Sequence, residues 1–151
     1  MRDKCRWIPP PSGWAKLNFD GALSGNPGMV GIGCIINNYS GKWIAKRANF
    51  IRSITNNLVE LEALQEGLQI CLDLGLSKII IEGDSQIFLN VIGKRSTENR
   101  VLNSRLEEVL NILDRFPDTL ICHIFWEGNQ KADQLANKGA EGEFLLIFND
   151  Q

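Results

Sequence analysis

Residues 14–50 read WAKLNFDGALSGNPGMVGIGCIINNYSGKWIAKRANF, and this stretch decides the fold class. Ala15 to Ala22 alternates, with Leu17 and Phe19 on one face, and predicts a strand. Gly25-Asn26-Pro27-Gly28 is a strong turn signal. Residues 30–37 (VGIGCIIN) predict a second strand, Asn38 to Gly41 a second turn, and Lys42 to Phe50 a third strand. Turns this short join antiparallel neighbours, so the chain opens with a meander. The period then changes. Over 56–74, Leu61, Leu64, Leu68, Cys71 and Leu72 form one helical stripe, opposite Glu62, Glu66, Gln69 and Asp73. Gly75 ends that helix. Lys78 to Gly83 (KIIIEG) is a short β-branched run of the kind buried on both faces of a sheet. Two helical stretches follow (85–92 and 100–115), then a fifth strand from Leu120 to Trp126 and a last helix over 129–139. The order β-β-β-α-β-α-α-β-α predicts an α/β protein with a mixed sheet.

The 151 residues fit one domain. We place it at 14–140, after a basic, Pro-rich linker at 1–13 that contains Pro9-Pro10-Pro11. Residues 141–151 form an apolar C-terminal tail whose sequence does not distinguish an extra strand from a surface cover or an exposed end. The chain is 44% hydrophobic and 23% charged, with a net charge of −2. This is globular composition without the overall basicity of a nucleic-acid binder. Nothing approaches the ~18 apolar residues of a membrane span. MRDKCRWIPPPSG has no hydrophobic signal core, which leads us to expect an intracellular protein, nuclear or cytoplasmic. Cys5, Cys34, Cys71 and Cys122 form no close pair, which argues against structural zinc. The last three sit in apolar stretches and read as core thiols.

Four carboxylates stand out. Glu60 precedes Leu64 and Leu68 by four and eight residues, so it falls on the apolar stripe; it either has a partner there or reaches to solvent. Asp84 follows the fourth strand and either lies in a site or caps the next helix with Ser85. Asp20 closes the first strand, as a site residue or a turn former. Asp133 opens the last helix, where the dipole alone favours an acid. If the fourth strand runs parallel beside the first, their carboxyl ends meet at a switch point, where α/β sheets build sites. Four carboxylates gathered there need a cation to stay ionised together. Mg²⁺ or Mn²⁺ would suit an all-oxygen set, and two such ions ~3.5–4 Å apart are a device for phosphodiester hydrolysis. The remaining surface then carries a small positive excess.

FDGALSGNPGMVGIG, TNNLVELEAL, IEGDSQ and EGNQKADQLA, in that order, resemble a type 1 ribonuclease H domain of the plant, retroelement-derived, reverse transcriptase-like branch. The resemblance runs from about Trp7 to Gly139. It implies a three-layer fold whose five strands lie in the order 3-2-1-4-5, with helices on both faces. It also implies hydrolysis of the RNA strand of RNA–DNA hybrids, with Asp20, Glu60, Asp84 and Asp133 holding two Mg²⁺ ions, for which Mn²⁺ can substitute. One ion would activate water and the other would stabilise the leaving 3′ oxygen. Gly25, Asn26 and Asn56 become substrate contacts, with turn and cap chemistry as their alternative. Lys94 and Arg95, with Arg100, stand where relatives carry a substrate-gripping loop. His123 aligns with a histidine that aids product departure in some members, although its strand setting favours a structural role. Trp126 is a departure, since this branch has an arginine there. Glu127 and Asn129 are expected to cap the last helix. The expected partners are the hybrid and a reverse transcriptase or other nucleic-acid-binding domain, with the chain itself a monomer. A catalytically weak or inactive nucleic-acid-binding module is the competing reading. Lys42, Lys46, Arg47 and Arg52 form an acid-free run around Trp43 that reads as solvated charge around a core tryptophan.

Overall fold

The computed structural model describes residues 3–23, 29–52 and 56–149. The predicted meander is formed by β1 (Ala15–Leu23), β2 (Met29–Asn37) and β3 (Trp43–Arg52), and it leads into α1 (Asn56–Asp73). Then come β4 (Lys78–Gly83), α2 (Gln86–Lys94), α3 (Arg100–Leu113), β5 (Asp118–His123), α4 (Gln130–Ala140) and β6 (Leu145–Phe148). The strands lie in the order β5-β4-β1-β2-β3-β6. β4 runs parallel to β1, with Asn18 opposite Glu82. The first five strands keep the expected order; the sheet has six strands because the tail adds β6 antiparallel to β3.

Alternation in β2 builds the three layers. Val30, Ile32, Cys34 and Ile36 enter the main core with Leu17, Phe19, Leu64, Leu68, Ile81, Phe88 and Leu106, under α1, α2 and α3. Gly31, Gly33 and Ile35 point the other way, where Ile35 joins Ala48 and Leu135 beneath α4. A side chain on Gly31 or Gly33 would overlap the Ala136 backbone, so these glycines let α4 lie directly on the sheet. Among the described residues no helix is long and apolar enough to cross a membrane.

Two local expectations are corrected. The fifth strand ends at His123, and Trp126 instead opens a 3₁₀ turn ending at Gly128. Cys34 and Cys71 are core thiols, whereas Cys122 is half-buried and Cys5 exposed. The N-terminal segment lies against the domain: Trp7 Nε1 donates to Asn18 Oδ1 at 2.9 Å and Lys16 Nζ to the Ile8 carbonyl at 2.7 Å.

Candidate active site

Asp20 lies near the end of β1, and Asp84 follows β4 immediately. Parallel pairing of the two strands brings their carboxyl ends side by side. Glu60 is the fifth residue of α1, and Asp133 lies in the first turn of α4. Gly21 lets α1 approach the end of β1, because a side chain there would overlap Val59. Ser85 alone caps α2, its Oγ accepting from Phe88 N at 3.2 Å, which leaves the Asp84 carboxylate free of capping duty.

Electrostatics tie the four acids together. Burial raises the Asp20 carboxyl to about 9, helped by Asp84, Glu60 and Asp133, while the Gly21 amide opposes the rise. Burial and Asp84 push Glu60 up to about 8. Asp84 is also raised, first by burial and then by Asp133, with an Asn129 hydrogen bond pulling it down. Glu60 Oε2 is buried and has no hydrogen-bond partner among the described residues. An orphaned carboxylate oxygen among mutually repelling acids fits a site for a hard cation. Among the described residues, no three acids, histidines or cysteines stand as a ready-made ligand set. The acids therefore share a field without closing a shell. Beside them lies an open cleft of about 350 Å³, lined in part by Gly21, Val59, Glu60 and Ser85.

Beneath the acids is a polar network that sequence reasoning missed. Asn18 Nδ2 donates to Glu82 Oε1 at 2.9 Å and to Asn129 Oδ1 at 3.1 Å. Lys16 Nζ reaches Glu82 Oε2 at 3.3 Å. Asn129 Nδ2 donates to the Phe19 carbonyl at 3.1 Å. Asn129 was expected to cap α4, but its side chain makes no capping bond; it links β1 to Asp84. The available signal was the run Lys16, Asn18, Asp20, three polar residues on one face of a buried strand.

The remaining candidates are dispersed. His123 ends β5, with Nε2 3.2 Å from the Asp84 carbonyl and Nδ1 3.4 Å from Lys4 Nζ, so it touches the site through backbone. Arg95 ends α2 in a left-handed conformation and pairs with Asp114 at 2.6 Å; Lys94 is exposed beside it. Asn56 opens α1, but its side chain lies outside the described residues, as do Gly25 and Asn26.

The reverse transcriptase-like family model matches residues 18–139, spanning all four acids. The chain is a ribonuclease H-like domain of that family. Over 134 residues it is 31% identical to ribonuclease HI of Halobacterium salinarum, covering 88% of this chain and 67% of the relative. The solved RNase H1 of that archaeon superposes with a TM-score of 0.79 at 30% identity, covering 86% of this chain and 99% of the other. A putative ribonuclease H protein of Arabidopsis thaliana is 27% identical over 131 residues, or 87% of this chain, but the match spans only 21% of that protein. LC11-RNase H1, solved in complex with an RNA/DNA hybrid, superposes at a TM-score of 0.77 with 25% identity, covering 85% of this chain and 97% of the other. This ribonuclease H-like domain thus has relatives nearly its own length and others several times longer.

Proposed function

We propose that this domain is an endoribonuclease that hydrolyses the RNA strand of RNA–DNA hybrids, with Asp20, Glu60, Asp84 and Asp133 holding two divalent cations, Mg²⁺ or Mn²⁺. The observation that carries the reading is the buried, unpartnered Glu60 Oε2 beside carboxyls that raise one another. When bound, the ion pair would supply an activated water and neutralise charge on the leaving 3′ oxygen. The protein's part is to fix the acids. Asp20 and Asp84 ride on adjacent parallel strands, the Gly21 amide holds Asp20 Oδ1 at 2.9 Å, and Asn129 steadies Asp84 from beneath. Substrate contacts are proposed for Gly25, Asn26, Asn56 and Lys94. Arg95 is proposed as a further contact, with its Nη2 held by Asp114 at 2.6 Å. His123 is a positioning residue, since its ring holds the Asp84 backbone.

A second reading, a hybrid-binding module with little turnover, rests on Trp126. This side chain is exposed at the approach to α4, where an arginine would have supplied positive charge. Incubating labelled hybrid with Mg²⁺ or Mn²⁺ at low salt decides between them. RNA-strand cuts that vanish in Asp84→Asn establish the enzyme. Hybrid binding without cuts by either metal establishes the module.

A further inference from the structure

The face of the sheet that carries α4 holds a second set of features, which borders the network beneath the acids at Asn18 and Asn129. A cavity of about 420 Å³ lies between Trp7 and Trp43, lined also by Asn37, Asn149, Lys42 and Lys131. Both amides are fixed: Asn37 Nδ2 donates to the Gly41 carbonyl at 3.3 Å and Asn149 Nδ2 to the Trp43 carbonyl at 3.0 Å. These side-chain amides make no other hydrogen bond among the described residues, which leaves their oxygens and second N–H groups for the edge of a base. Glu127 is the one acid among the described residues that line this cavity. A smaller hollow adjoins it, sharing Ile35 and Lys131 and adding Lys46 and Lys138, with no acid among its described lining.

The lysines form a band. Lys131 and Lys138 are seven residues apart on α4 and so share a helix face. Lys46, on β3, sits 4.4 Å from the Trp43 ring centroid. Lys42, Lys46, Lys131 and Lys138 have no ion pair among the described residues, whereas Arg47, on the opposite face of β3, is paired with Glu66 at 2.7 Å. A chain of net charge −2 in which Lys131 and Lys138 of α4, Lys46 of β3 and Lys42 just before it have no ion pair among the described residues concentrates positive charge there. Unpaired lysines beside an aromatic-walled cavity match what single strands need, a basic track for phosphates and rings for bases.

We propose that this α4–β3 face is a binding surface for single-stranded nucleic acid, with phosphates following Lys42, Lys46, Lys131 and Lys138 and a base entering the cavity between Trp7 and Trp43. The surface does not depend on the acids being catalytic. It would hold an unpaired strand running off a hybrid or an overhang.

The test is fluorescence anisotropy of labelled oligothymidylate with the full chain, without divalent metal, from about 20 mM salt upward. Wild type is expected to bind, with log K falling against log salt at a slope of about −2 to −3 for four contacts. The triple variant Lys46→Glu, Lys131→Glu, Lys138→Glu is expected to bind at least ~10-fold more weakly at an unchanged melting temperature. Trp43→Leu is expected to lose roughly 5- to 100-fold, with Trp43→Phe restoring most of it. Asp84→Asn should bind as wild type does. The proposal is overturned if wild type does not bind the strand, or if the lysine variant binds it equally. It also fails if Asp84→Asn abolishes binding, which would put the strand at the acids, or if thymidine monophosphate competes as well as the strand.

Discussion

Lys16, Asn18 and Asp20 alternate along one face of β1, all nearly inaccessible, yet they meet opposite fates. Lys16 and Asn18 are satisfied. They join Glu82 and Asn129 in a network in which each buried charge has a partner. Asp20, one step further, has among the described residues a single backbone amide and three neighbouring acids that raise it. A buried polar group costs several kcal/mol unless hydrogen bonded, so the first arrangement holds the fold and the second is kept at the fold's expense. Asn129 belongs to both: it accepts from Asn18, donates to the Phe19 carbonyl and hydrogen bonds Asp84.

That division is sharpened most by the pair Asp84→Asn and Glu82→Gln, two near-isosteric changes two residues apart. Asp84→Asn is expected to lower hybrid cleavage by about a thousandfold or more, the worth of several kcal/mol of transition-state charge stabilisation. Its metal-free melting temperature should hold or rise, because a repelled carboxylate is removed. Glu82→Gln is expected to do the reverse. It leaves the buried Lys16 ammonium without its counter-charge, a loss of about 3–5 kcal/mol in a urea unfolding experiment. Adding Lys16→Met should return much of that stability. If Glu82→Gln proves neutral, Lys16 and Glu82 are not an essential pair and the contrast breaks.

Asn129→Ala tests the link between the regions. Loss of a residue that orients a metal-holding carboxylate typically costs 10- to 100-fold in activity. The same change leaves Asn18 and the Phe19 carbonyl short of partners, about 1–3 kcal/mol of stability. The two losses should come with a third sign. Asn129 lowers the Asp84 carboxyl, so without it the acidic limb of the pH–rate profile moves to higher pH. A stability loss with no change in cleavage or profile would confine Asn129 to the fold.

What could be read from the sequence follows the same division. The acids stand out in the sequence because an acid on an apolar stripe, as at Glu60, or after a β-branched run, as at Asp84, conflicts with its local pattern. The strand order was implied by the family resemblance and appears in the structure. The network was not legible: Asn18 and Glu82 meet only through the parallel register of β1 and β4, at a separation of 64 positions in the chain. Asn129 was misassigned because the position before a helix suggests a cap, whereas burial gives its amide stronger claims from β1. The tail became β6 because β3 had an open edge, a property of the assembled sheet rather than of Phe144-Leu-Leu-Ile-Phe.

The smallest effect expected is the pH dependence of metal-free stability, and its sign is diagnostic. Asp20 and Glu60 move from ordinary values of 3.8 and 4.5 to about 9 and about 8 in the folded chain. Between those limits the folded protein keeps protons that the unfolded chain releases, so stability is fullest below about pH 4 and is lost as pH rises through 8 to 9. Carboxylates held in ion pairs give the opposite slope. Melting temperature without metal should therefore fall from pH 5 to pH 9. If the acids hold Mg²⁺ or Mn²⁺ as proposed, the ion would stabilise their ionised forms and displace their protons, so either ion should flatten the slope, with a stabilisation that grows with pH. In Asp20→Asn both the slope and the metal effect should shrink. A melting temperature that is flat with pH and indifferent to metal would mean that these four carboxylates do not share one field.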